Sequence, residues 1–312
     1  GVDATNNVVP LTGEAFTIAE RLQAAGYRTG AVVANAGYVT SRYGLHQGFE
    51  HFDVAMRDVP EIVEAVDAAL AGGDGRPTFL FVNTMDTHRP FNLTPRPGFV
   101  QPRSPNEGVR LLNELMEPTL RGRKPTEGLE RLAALYDLSV ANLDDGLGDL
   151  FDVLREHGHF DDAVVVVLSD HGEALGEHDL LEHSKGLYDP ELRIPFLFKE
   201  PGQTTGRRET RETSLVHLPH MLARHTEALP AEVFPYAWPG DVVLAENHYT
   251  RMISMRRPWS DLFQRSQRAA IDWPLKVIDS SDGAHEAYDL ARDPAETTNV
   301  FVPGDVPAGV DR

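Results

Sequence analysis

DAVVVVLSDHGEALGEHDLLEHSKGLYDPELRIP, residues 162–195, decides how this chain is read. It opens on a run of apolar, mostly β-branched residues, 163–168. Six such residues bounded by charge read as a strand buried on both faces, the pattern of a parallel sheet. Ser169, Asp170, His171, Gly172 and Glu173 follow at once. In open α/β sheets, ligands sit beyond the carboxyl ends of the strands. An Asp-His pair at such a place can offer a metal one carboxylate oxygen and one imidazole nitrogen. Gly172 lets the backbone turn away tightly. His178, His183 and Lys185 come next, in a polar segment too irregular for a helix face. Residues 193–198 return as a strand, closed by Pro201 and Gly202. Singly, each piece has a plainer reading as a capping Asp or a solvated His or Lys; the order of the pieces is what carries information.

Upstream, the pattern is that of an α/β chain. Thr12, Gly13 and Glu14 open a helix with Ile18, Ala19, Leu22 and Ala25 at helical spacing, and Gly26 ends it. A short strand follows over residues 30–34. Residues 60–71 form a second helix, with Ile62, Val63, Val66 and Leu70 on one face. TFLFVN, residues 78–83, is another buried strand, and it runs into Thr84-Met85-Asp86-Thr87-His88-Arg89-Pro90. Residues 96–128 are rich in Pro, Gly and charge and read as a long surface excursion with one short helix over 111–116. Residues 132–157 give the longest helical stripe, on which Asp144 and Asp145 solvate the polar side.

Downstream, residues 203–213 read as a polar loop and 214–224 as a helix, with His217, His220 and His225 taken as surface residues. A composition shift over residues 233–240 reads as a linker. Strands are expected over 241–246 and 275–278, with a hairpin turn at Ser280-Ser281-Asp282-Gly283. The expected organisation is an α/β domain over residues 1–230 and a small antiparallel α+β subdomain over 231–312.

Composition narrows the function. The chain has 312 residues, 29 basic against 48 acidic, for a net charge of −19. Nucleic acid and anionic membranes are therefore poor partners. Only Lys124, Lys185, Lys199 and Lys276 are lysines. Acid excess with few lysines fits adaptation to high salt, where screening relieves self-repulsion. Without cysteine there is neither disulfide nor thiolate chemistry. No run of 18 apolar residues is present to span a membrane. The chain begins at Gly1 without a Met, so the lack of a secretory pattern does not decide localisation, which stays unknown with cytoplasmic expected ahead of secreted.

SDHGE, then GEHD, then HSKGLYD, then LRIP resembles the sulfatase family of the alkaline phosphatase superfamily. AERLQAAGYRTGAVVANA (residues 19–36), YGLHQGFEHFD (43–53), YDLSVANLDDGLGDLF (136–151) and AYDLARDPAETTNV (287–300) are similar to segments of the same family. The resemblance implies a mixed, mainly parallel sheet flanked by helices, with a small carboxy-terminal antiparallel subdomain. It implies hydrolysis of sulfate esters, on small molecules or glycans, at one divalent ion. Asp170 and His171 match the family's later pair of metal ligands. His88, in D-x-H-x-P, matches a group that contacts the sulfate and acts as an acid. His183 or Lys185 matches the basic residue ahead of the Tyr-Asp pair. Relatives carry a Lys four residues before that Tyr or a His five before it, and His183 stands five before Tyr188. His183 is thus preferred as catalytic, with Lys185 as a substrate-binding group.

The family points to calcium, whereas an imidazole at residue 171 suits manganese, iron or zinc. Phosphodiester and phosphonate monoester hydrolysis fit the same residues. The family's nucleophile, a formylglycine made within C/S-x-P-x-R, has no counterpart in this sequence, and neither do its two amino-terminal Asp ligands. The expectation is a chain lacking roughly 80 to 100 residues of a whole domain, inactive as it stands; the rival is a non-catalytic remnant.

Overall fold

The computed structural model describes residues 10–230, 242–248 and 257–302. It begins with helix α1 (Ile18–Ala24), started not by Thr12 but by Thr17. The Thr17 side chain accepts from Glu20 N while Glu20 accepts from Thr17 N, a capping box that satisfies two helix-end donors at once. Strand β1 (Arg28–Val33) follows, then β2 (His51–Val54), helix α2 (Val59–Leu70) and β3 (Thr78–Asn83). These strands form a parallel sheet in the order β2-β1-β3. The central strand is the buried one, with Ala31, Val32 and Val33 at 0 % exposure. Val32, Leu80 and Val82 pack against Ile62, Val66 and Leu70 of α2 and Leu147 and Leu150 of the long helix α4 (Thr126–Glu156). Ala31 and Val33 alternate to the opposite face, and α1 is the other helix that contacts β1. Gly146 allows α4 to meet α2, since a Cβ there would lie 2.4 Å from Val59 side-chain atoms.

Residues 96–128 are not a surface excursion. They contain helix α3 (Glu107–Leu120), 14 residues long. Leu111, Leu112, Leu115, Met116 and Leu120 of α3 join Phe91 and Leu93 and α4's Leu132, Leu135 and Leu138 in one buried cluster. The charge that disguised this core converges on one point. Glu107, at 0 % exposure, takes Arg131 Nε at 2.6 Å and Nη2 at 2.9 Å, and Arg103 N at 2.5 Å. Those bonds hold its carboxyl below the usual carboxylate range.

The strand expected over 163–168 is β4 (Val165–Leu168), and it differs from expectation in its setting. Its partner is β7 (Phe196–Lys199), antiparallel, and all four β4 residues are half-buried rather than covered on both faces. One partner strand accounts for this, because the other edge of β4 meets no described strand. Between them run β5 (Ala174–Leu175), β6 (Leu181–Glu182) and the single-turn helix α5 (Asp189–Leu192). The expected helix over 214–224 is a 3-10 turn (Leu215–His217) followed by α6 (Leu218–Ala223). His217 is not on the surface: it is 2 % exposed and its Nδ1 accepts from Ser214 N at 3.1 Å.

The linker expected over 233–240 lies outside the described residues. Beyond it, β8 (Val243–Asn247), β9 (Gln267–Asp272), β10 (Leu275–Ser280) and β11 (His285–Asp289) form an antiparallel sheet in the order β11-β10-β9-β8. Strand β9 had no forecast, and among the described residues this sheet carries a 3-10 turn (Ser260–Phe263) rather than an α-helix. Its inner side chains, Ala269, Ile271, Ile278 and Tyr288, pack on Leu187, Tyr188 and Leu192. The α/β fold thus joins a parallel sheet to the antiparallel pairs β4-β7 and β5-β6, and an antiparallel carboxy-terminal sheet backs the segment that begins at Asp170. No described helix is long and apolar enough to cross a membrane.

Candidate active site

Three imidazoles from three loops stand in a row. His88 lies five residues past the end of β3, His171 three past β4, and His183 directly after β6. The His88 and His183 ring centroids are 5.5 Å apart, and those of His183 and His171 4.2 Å. Asp170 completes the group, its Oδ1 3.7 Å from His171 Nε2.

Each ring is pinned through Nδ1. His88 Nδ1 faces Arg89 O at 2.7 Å, and His171 Nδ1 faces Gly172 O at 2.9 Å. A carbonyl oxygen only accepts, so Nδ1 carries the hydrogen in both and Nε2 keeps the lone pair. His183 Nδ1 faces Glu173 Oε1 at 3.2 Å and Oε2 at 3.4 Å, which assigns its hydrogen the same way. Burial opposes a charge on His183, but the hydrogen bond and negative charge of Glu173 outweigh it, and the net effect raises its pKa.

The short hairpin explains why Glu173 is there. In its register, Ala174 pairs with Glu182 and Leu175 with Leu181, which sets Glu173 opposite His183. Glu173 stands inside the SDHGE run but was given no role; the alternation of AL and LLE around GEHD was the signal for the hairpin. Gly172 serves a different end from the expected tight turn. Its φ is not among the left-handed ones, but a Cβ would fall 2.1 Å from Pro190 O, so only glycine lets this turn close against α5. Ser169 Oγ donates to His171 O and fixes the turn from the other side.

Lys185 does not join the row. It is 8 % exposed, with Nζ 3.2 Å from Glu182 Oε2, 3.2 Å from His183 O and 5.8 Å from the ring centre of Trp259. Glu182 also receives Arg89 Nη1 at 2.5 Å, so Arg89, Glu182 and Lys185 form a charged ladder beside the histidines. His178 stacks on Tyr188 at 3.7 Å, away from the row.

The metal fit is partial. Asp170 is exposed at its side chain and His171 Nε2 carries a free lone pair beside it. A ligating histidine usually donates its second nitrogen to a carbonyl, as His171 does here. The two residues therefore suit two positions of a divalent ion's shell. Among the described residues, no three or more His, Asp or Glu side chains are placed to share one ion.

Comparison with known proteins places the chain in a family. The sequence model of the Sulfatase family matches residues 1–228. The chain is 30 % identical over 159 residues to the multifunctional alkaline phosphatase superfamily protein PehA of Trinickia caryophylli, covering 43 % of this chain and 30 % of that one. It is 28 % identical over 192 residues to arylsulfatase K of Homo sapiens, covering 58 % of this chain and 35 % of that one. The chain thus spans about a third of the length of these curated relatives. The phosphonate monoester hydrolase of Agrobacterium radiobacter has a similar fold, with a TM-score of 0.65 at 19 % identity, covering 95 % of this chain and 78 % of that one. A structure solved in complex with its substrate D-glucosamine-2-N,6-O-disulfate aligns with a TM-score of 0.62 at 16 % identity, covering 96 % of this chain and 80 % of that one. With the family model spanning most of the sequence, the chain belongs to the sulfatase family.

Proposed function

We propose that this chain carries the acid and sulfate-binding part of a metal-dependent sulfuric ester hydrolase, with the nucleophile supplied by a segment preceding Gly1. The row His88–His183–His171, with every Nδ1 pinned, carries the reading. Cleaving a sulfate ester requires a proton for the departing alkoxide and positive groups on the sulfuryl oxygens. His88, in its imidazolium form, delivers the proton from Nε2 while Nδ1 stays on Arg89 O. His183, hydrogen-bonded to Glu173, holds a sulfuryl oxygen. Asp170 and His171 would hold the divalent ion, calcium by family or manganese or zinc by the imidazole. Such an ion withdraws charge from the sulfuryl group. Lys185 acts on the substrate only after leaving Glu182. The substrate is a sulfate ester of a small molecule or glycan. The division at residue 230 and adaptation to high salt belong to the same reading.

Phosphonate or phosphate ester hydrolysis is the second reading, favoured by the partial match to PehA, an alkaline phosphatase superfamily protein. Steady-state assays on the chain extended at its amino terminus, with 4-nitrophenyl sulfate and phenyl phosphonate esters, separate the two. Sulfate turnover should exceed phosphonate turnover. His88→Ala should slow esters with poor leaving groups most, because those need the acid. An equal loss for good and poor leaving groups would remove His88 from the role of acid.

A further inference from the structure

Glu191 connects the two loops that hold the histidines. It is 5 % exposed and belongs to α5. Its main-chain carbonyl accepts from Gly172 N at 2.7 Å, next to Asp170 and His171. Its carboxylate reaches into the loop after β6, where Oε2 accepts from Lys185 N at 3.2 Å, and the neighbouring main-chain N–H groups of Ser184 and Gly186 favour its charged form. Three successive main-chain N–H groups around one anion form a nest. Such a loop needs a left-handed residue, and Ser184 provides it with φ +63, a conformation that disfavours a residue with a Cβ. The carboxylate offsets that strain.

The helix bearing Glu191 is itself anchored. Lys276 of β10, at 0 % exposure, sits 2.6 Å from Glu296 Oε1 and 3.1 Å from Asp189 Oδ1. Glu296 Oε2 in turn accepts from Asp189 N at 2.7 Å. The carboxy-terminal sheet thus fixes α5, and α5 meets both site loops.

We infer that Glu191 is a positioning residue of the site, its carboxylate seated in the 184–186 nest and its carbonyl on Gly172, so that it sets the spacing of the His183 and His171 rings. Its catalytic meaning rests on the hydrolase reading above, but its test does not require turnover. Amide hydrogen exchange on the 312-residue chain is the readout. Residues 184–186 should be protected in the wild type although no helix or strand includes them. Glu191→Gln should raise their exchange about tenfold or more, because it removes a charge-assisted acceptor. Gly172, bonded to the carbonyl, should change less, and β9 and β10 should not change. Glu191→Asp, which keeps the charge but withdraws it by one methylene, should give an intermediate loosening confined to 184–186. Unprotected amides at 184–186 in the wild type would overturn the inference. So would unchanged protection in both variants, or a loss spread evenly over the chain in both. A Mn2+ titration read on the imidazole protons is the companion measurement. In the wild type, His171 and His183 should broaden together; in Glu191→Gln, His183 should broaden less. Mn2+ that leaves every wild-type imidazole sharp would count against the metal-dependent reading, while the exchange result still decides the role of Glu191.

Discussion

Helix α4 and the β5–β6 hairpin pack against one another, yet different forces hold them. On the α4 side, Leu132, Leu135 and Leu138 are at 0 % exposure in a cluster with α3. Its one buried carboxylate, Glu107, is satisfied by Arg131. On the hairpin side, apolar contact is limited to Ala174, Leu175, Leu180 and Leu181. His178, Asp179, Glu182 and Ser184 all have positive φ, and among the described residues Glu296 is the only other non-glycine that does. Polar ties hold the hairpin's surroundings: Glu173 to His183, Glu182 to Lys185 and Arg89, Glu191 to the 184–186 loop. The helical core is stabilised by burial. The site segment is strained backbone fixed by hydrogen bonds, the arrangement in which fixed dipoles and charges can face a substrate. The same difference recurs in sign at the carboxylates. Arg131 lowers the pKa of Glu107, whereas burial raises those of Glu191 and Glu296 against the pull of their partners.

The largest effect that would break this contrast is at the core's ion pair. Arg131→Met takes from the buried Glu107 its closest cation, leaving Arg103 and Arg110 at 3.8 Å, and should cost about 3–5 kcal/mol in urea unfolding. It should also change the acid limb. A carboxyl with a lowered folded pKa contributes stability above its unfolded pKa, and that contribution is lost as pH falls through the folded value. The loss should be present in the wild type and reduced in Arg131→Met. Leu135→Ala should cost about 2–5 kcal/mol through its cavity while leaving the imidazole resonances of His88 and His183 in place. A shift of those resonances as large as the one caused by a site substitution would show that the two regions are one. Salt should act less strongly and on the surface: the net charge of −19 predicts a melting temperature higher by several degrees, roughly 1–2 kcal/mol, in molar salt than in dilute buffer. A flat melting temperature would remove the high-salt adaptation. The smallest change in stability should come from Ser184→Gly, within about 1 kcal/mol, because relief of left-handed strain and added chain entropy oppose each other. Its effect should appear as faster amide exchange at Lys185 and Gly186.

These regions also differ in how far the sequence disclosed them. Strand β3 was read at its full extent, and α2 within one residue, because alternation and a 3.6-residue stripe are local signals. From sequence, helix α3 reads as a short helix over 111–116, since Pro118, Gly108 and Arg110 match loop composition; in the fold Arg110 of α3 and Arg131 of α4 both face Glu107. The apolar run of β4 suggested cover on both faces, but burial depends on neighbouring strands that composition cannot count. His88, Asp170, His171 and His183 were legible through the resemblance, and the structure brings them together. Glu173, Glu182 and Glu191 were not, because their roles follow from a two-residue strand register and a nest, which leave almost no pattern in a single sequence.

The most direct measurement is aryl sulfate hydrolysis by two chains side by side: residues 1–312 alone, and the same chain extended at its amino terminus through a C/S-x-P-x-R segment, each with and without Asp170→Ala. The account predicts turnover only in the extended chain, abolished by Asp170→Ala, since loss of the anionic ligand weakens both cation binding and stabilisation of the transition-state charge. Turnover by residues 1–312 alone, or equal rates in the extended chain with and without Asp170→Ala, would contradict it.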